Sequence, residues 1–126
     1  MFQSNQPPRC KRRRRMMGFL EPCLLLLLLQ GDTHGYHLLN NLHHFGVEPE
    51  SYDPSMIYRA LREMEINGWV TSYDGSDSQG PQRRMYHMTK EGENYLANWI
   101  FDLRRSKEEI ERIIHLYETE KAAEEG

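Results

Sequence analysis

The densest apolar stretch of the chain is 22–30, where Leu24 to Leu29 follow one another without a polar break. A helix apolar on nearly every side has to be buried, so this segment is expected at the centre of a core. Pro22 suits a first helical turn, where its missing N–H costs nothing, and Gly31 is the kind of residue that ends a helix. Beyond it, Leu38, Leu39 and Leu42 recur at helical spacing and Phe45 continues the stripe. A second helix is therefore expected from about His34-Gly35-Tyr36 to Phe45, stopped by Gly46, with a loop or short strand over 47–52. The third helix has the sharpest limits. Asp53 is a good N-cap, and Pro54 fits the first helical position. Ile57, Ala60, Leu61 and Met64 share one face, and Asn67-Gly68 supplies the stop.

The pattern then changes from helical to strand-like. Val70-Thr71-Ser72-Tyr73 and Arg84-Met85-Tyr86-His87-Met88 are rich in β-branched or aromatic residues and read as a hairpin. The polar connection over 74–82 is longer than a tight hairpin needs, which marks it as a functional loop. Thr89 is placed to cap a last helix. From Glu93 to Glu125 there is no Gly or Pro, so one long helix is expected, with a bend near Arg105-Ser106 as an option. Along it Leu96, Trp99, Leu103, Ser106, Ile110, Ile113 and Tyr117 alternate spacings of 3 and 4. That is the seam pattern of a coiled coil, interrupted only at Ser106. On a monomer such a stripe is expected to stay wet, so these six apolar residues are read as a homodimer interface.

The order of elements predicts a mainly α fold with a small β-hairpin wing: a winged helix-turn-helix followed by a long C-terminal dimerisation helix. The expected division is a flexible basic arm over 1–18, a DNA-binding domain over 19–88 and the dimerisation helix over 89–126.

Charge sharpens this. The net charge of −3 conceals an arm, 1–18, with six basic residues and no acid. The segment 19–88 has nine acids against four bases, and 89–126 ten against six. A basic arm on an acidic body points to a polyanionic partner. The arm followed by leucines imitates a secretory signal, but Glu21-Pro22 splits the apolar part and Gln30-Gly31-Asp32 offers no cleavage site. The stretch is also too short to span a membrane. Cys10 and Cys23 make no disulfide framework, so a reducing cytoplasm is expected.

The four bases of 19–88 are Arg59, Arg62, Arg83 and Arg84. All fall on the two elements that a winged helix presents to DNA. Ser55 and Met56 lie in the first turn of the third helix, whose N-terminal residues reach base edges in helix-turn-helix proteins. Arg59 and Arg62 are three apart and can point the same way; an arginine there can hold guanine with two hydrogen bonds. Gln79, Gln82, Arg83 and Arg84 in the wing suit phosphates, as do Arg12, Arg13, Arg14 and Arg15 of the arm. Pairing of Arg62 with Glu63 or Glu65 on a solvated face is the plain alternative.

An ordered set of short motifs resembles the PadR-like family, the phenolic acid decarboxylase repressor type. It comprises Leu26 to Leu29, His34-Gly35-Tyr36, Ile57-Tyr58-Arg59-Ala60-Leu61-Arg62-Glu63-Met64-Glu65 with Gly68-Trp69-Val70, Gly80-Pro81-Gln82-Arg83-Arg84-Met85-Tyr86 and Thr89-Lys90-Glu91-Gly92. The resemblance covers roughly residues 20 to 100. It implies a dimeric transcriptional repressor released from its operator by a small molecule. It also implies that Tyr36 and Tyr58 lie at or beside the DNA-facing surface, whereas Arg59 stands where the family commonly has proline. Trp99, toward the domain end of the seam, is by the same resemblance a place where a flat aromatic effector stacks; core packing is the plain reading. The run from Arg12 through Phe19-Leu20-Glu21-Pro22-Cys23-Leu24 resembles a narrower branch of polyhydroxybutyrate-responsive repressors.

Catalysis finds little support in the sequence. His34 and His37 are three apart and His43-His44 follow, but no Cys-x-x-Cys or His-Glu-x-x-His motif exists, and catalytic zinc needs three convergent ligands. No nucleophile–base pair or phosphate loop stands out. The expectation is a protein that is not an enzyme and uses no metal and no cofactor. The competing class is a winged-helix module that binds only protein.

Overall fold

The computed structural model describes residues 18–46, 53–75 and 84–125. In chain order the elements are α1 (Leu20–Leu29), β1 (Thr33–His34), α2 (Gly35–Asn40), a 3₁₀ turn (Leu42–Phe45), α3 (Pro54–Ile66), β2 (Val70–Asp74), β3 (Arg84–Met88) and α4 (Lys90–Glu125). The described residues fall into two compact units that divide between Leu96 and Ala97.

The leucine run makes α1 a buried helix, as its pattern requires. Leu24, Leu25, Leu27 and Leu28 are buried, and Leu29 at its end is exposed. The core around them includes Leu38 of α2, Leu42 of the 3₁₀ turn, Ile57, Leu61 and Met64 of α3, Val70 of β2, Tyr86 and Met88 of β3 and Leu96 of α4. Each such side chain contributes roughly 1.5–3 kcal/mol when taken out of water. Cys23 is half-buried, and burial pushes its thiol up to about 11, so it stays protonated at neutral pH.

Two expectations need correcting here. The second helix is not continuous: α2 stops at Asn40, and a 3₁₀ turn follows. Asn41 explains the break. Its amide Nδ2 donates to the His37 carbonyl at 2.7 Å, and its Oδ1 is 3.1 Å from His44 Nε2. Such local side-chain bonds offer the backbone an alternative to the helix ladder. Gly46, in the left-handed region at φ 80°, then ends the turn. The second correction is that the hairpin is part of a three-stranded antiparallel sheet in the order β1-β3-β2. Thr33 pairs with Tyr86 and His34 with Met85, so β1 closes the free edge of β3.

The caps of α3 follow the sequence. The Ser55 N–H donates to Asp53 Oδ1 at 3.0 Å, and Asn67 and Gly68 end the helix, Gly68 at φ 82°. Thr89 opens α4 as expected: its hydroxyl accepts from the Gly92 N–H at 3.0 Å and donates to the Gly68 carbonyl at 2.6 Å. Gly92 is required because a Cβ there would run into the Trp69 carbonyl oxygen. The Trp69 and Tyr95 rings stack at 3.5 Å with 9° between planes, and the Tyr95 hydroxyl donates to Glu21 Oε1 at 2.6 Å. The first turns of α4 are thereby fixed to α1 and to the α3–β2 junction.

Candidate nucleic-acid interface

α2 and α3 meet at a glycine. The Tyr58 ring lies so close to Gly35 that a Cβ there would sit 2.5 Å from its Cε1. His34, in extended conformation, caps α2 by accepting the His37 N–H on Nδ1 at 3.1 Å. His34-Gly35-Tyr36 thus combines a cap, a close approach and an exposed ring, and it seats α2 against the helix-turn-helix partner. Tyr36 and Tyr58 both present exposed rings beside this joint.

With Ile57, Leu61 and Met64 turned inward, α3 leaves Ser55, Arg59 and Arg62 exposed and Met56 half-buried. These are the faces that the apolar spacing of the helix assigns to a partner. Ala60, expected on the core face, is half-buried.

The hairpin has two polar joints that the sequence did not disclose. On the face carrying Val70, Ser72 and Asp74, the Ser72 hydroxyl donates to Glu65 Oε2 of α3 at 2.7 Å. It accepts from Arg84 Nε at 2.9 Å. Arg84 also lies 3.7 Å from Asp74, an exposed pair that contributes little on its own. Arg84, expected as a phosphate contact, is therefore also part of the wing's own bonding. Tyr86, paired with Ser72 and buried, feels the same group of charges: its phenol is pushed up by burial first and by Glu65 next, while Arg84 and Arg62 pull it down.

The second joint is Asp32, between α1 and β1. The Tyr73 hydroxyl donates to its Oδ2 at 2.8 Å, and His87 Nδ1 lies 2.8 Å from its Oδ1. These hydrogen bonds, that of His87 foremost, hold the Asp32 carboxyl below its ordinary range, and the Tyr73 phenol is raised in return. One carboxylate so ties the loop before β1 to both β2 and β3.

Residues 24–98 match the model of the transcriptional regulator PadR-like family. The chain belongs to that family. The matched span takes in the helix-turn-helix, the sheet and the start of α4. A transcriptional regulator from Clostridium thermocellum is similar at 27% identity and TM-score 0.67, over 75% of this chain and 89% of that one. A PadR-like regulator from Bacillus cereus shares the fold at TM-score 0.69 and 24% identity, over 80% and 96%. Bacillus subtilis PadR, solved in complex with operator DNA, matches at 26% identity and TM-score 0.54, over 64% of this chain and 46% of its own. An uncharacterized protein of Lysinibacillus sphaericus is 25% identical over 94 residues, 75% of this chain and 86% of its own.

In this PadR-like chain the expected seam of α4 divides. Leu96 is 6% exposed and packs within its own chain, so it is a core residue and not a wet seam position. Trp99 and Leu103 are half-buried. Ile110, Ile113 and Tyr117 are 55%, 67% and 64% exposed, and Phe101, Ile114 and Leu116, which the spacing omitted, are exposed with them. Gln79, Arg83, Arg12, Arg13, Arg14 and Arg15 lie outside the described residues. Among the described residues no three His, Cys, Asp or Glu side chains are grouped to hold a metal, and no helix is long and apolar enough to cross a membrane.

Proposed function

We propose that this PadR-like regulator acts in the cytoplasm, binding double-stranded DNA as a homodimer and repressing transcription until a small-molecule effector releases it. One observation carries the reading. Among the described residues up to Met88, the basic side chains are Arg59 and Arg62 on α3 and Arg84 on the wing, against six acids elsewhere or beside them. The domain's described basic groups are thus confined to α3 and the wing, the two elements a winged helix presents to DNA, and phosphate neutralisation supplies most non-specific DNA affinity. The operator complex of Bacillus subtilis PadR supports the same use of the fold. The arm of Arg12, Arg13, Arg14 and Arg15 adds phosphate contacts, and Gln79 and Arg83 add wing contacts. The exposed apolar residues of α4 support pairing with a second copy, and Trp99 is the candidate surface for a flat effector. The test is a gel shift with the promoter of the chain's own gene at fixed salt. Retardation that resists excess unrelated duplex is expected; no retardation at any protein concentration favours a module that binds protein only, and equal competition by any duplex reduces the reading to non-specific DNA binding.

A further inference from the structure

A carboxylate in the place of Glu65 is a puzzle for a DNA-contacting element. It stands on the same helix as Arg59 and Arg62, where its charge opposes a phosphate backbone. Its bonding gives a reason. An ionised carboxylate only accepts hydrogen bonds and a guanidinium only donates them. The Ser72 hydroxyl sits between the two and does both, donating to Glu65 Oε2 at 2.7 Å and accepting from Arg84 Nε at 2.9 Å. Arg84 Nε is thereby oriented, and Nη1 of the same guanidinium lies 3.7 Å from Asp74 Oδ1. The strand register places Ser72 opposite Tyr86, next to the Asp74–Arg84 pair that ends the described hairpin. The chain Glu65–Ser72–Arg84 is a side-chain path from α3 to the last described pair of the hairpin.

We propose that Glu65 and Ser72 are positioning residues for DNA binding: through the Ser72 hydroxyl they fix the Arg84 guanidinium, and with it the wing, relative to α3. This rests on the DNA-binding reading. Glu65 itself touches no phosphate; it orients a group that does. A substitution that retains the hydroxyl retains the relay, and one that keeps the shape but loses the hydroxyl breaks it.

Ser72→Thr and Ser72→Val make that comparison, since the two differ by a hydroxyl against a methyl and both suit a strand. Two readouts are taken on the full chain. The first is the exchange rate of the Arg84 Nε–H proton by NMR without DNA. The second is affinity for the promoter of the chain's own gene and for an unrelated duplex, by fluorescence anisotropy at several salt concentrations. With Thr, slow exchange and wild-type affinity are expected. With Val, the Nε–H exchanges faster and promoter affinity falls on the order of fivefold, the value of one net hydrogen bond, with a shallower salt slope. Glu65→Gln, which keeps an acceptor, is expected to retain more affinity than Glu65→Ala. Equal Nε–H exchange in Thr and Val overturns the relay. Faster exchange in Val at unchanged promoter affinity overturns its role in binding. A wild-type chain with no preference for the promoter overturns the DNA-binding reading instead, and the exchange comparison then decides the relay alone.

Discussion

Arg59 and Arg62 stand on the exposed side of α3, one turn of helix apart, while Ile57, Leu61 and Met64 fill the core behind them. Arg59→Ala and Arg62→Ala should each weaken promoter binding by about 1–3 kcal/mol, the range for losing a two-pronged base contact. Melting temperatures should stay close to wild type, and titration with promoter DNA at matched salt checks both. Gly92 is the opposite case. Adding a methyl group there meets the Trp69 carbonyl, which is backbone and cannot swing aside. Gly92→Ala should cost about 1–3 kcal/mol of stability, read from urea unfolding. The sequence marked Thr89 as a cap, but the need for glycine three residues later becomes visible only when Trp69 is brought against it. Glu65 and Ser72 were illegible for the same reason: a serine in a strand and a glutamate on a helix are ordinary until the fold brings them to 2.7 Å.

At the scale of elements, α1 and α3 could be read almost to the residue because their signals are local. Six leucines, an Asp-Pro start and an Asn-Gly stop need no distant partner. β1 could not be read. Thr33 and His34 are a strand only because β3 offers an unpaired edge at Met85 and Tyr86, far along the sequence. The break at Asn41 was hidden by a leucine stripe that continues across it. Asp32 holds this sheet together through Tyr73 and His87, and its carboxyl binds its proton less tightly folded than unfolded. Its contribution to stability is therefore complete above the ordinary carboxylate range and disappears as pH falls through the lowered folded value. Asp32→Asn should melt below wild type at neutral pH, and the two curves should converge in acid. Parallel curves of melting temperature against pH would show that the clamp does not titrate.

For the molecule as a whole, the proposed pairing of two chains rests on α4. Its 36 residues span about 54 Å at the helical rise, and Ile110, Ile113, Ile114, Leu116 and Tyr117 leave much of its C-terminal part apolar and exposed. The regular spacing disclosed the stripe but not its width, since Ile114 and Leu116 fall outside a strict seam. Ile110→Asp combined with Ile113→Asp should give monomers in sedimentation velocity and weaken promoter affinity; a variant that still sediments as a dimer removes this helix from the interface. Pairing by a two-fold axis presents two copies of α3, and helix-turn-helix dimers place such helices about 34 Å apart, one turn of DNA. Hydroxyl-radical footprinting of the promoter of the chain's own gene tests that arrangement directly. The account predicts two protected patches on one face of the duplex, about one helical turn apart, that fade together when Arg59 and Arg62 are replaced by alanine. Uniform cleavage at protein concentrations that coat the DNA, or protection indifferent to those two arginines, would contradict it.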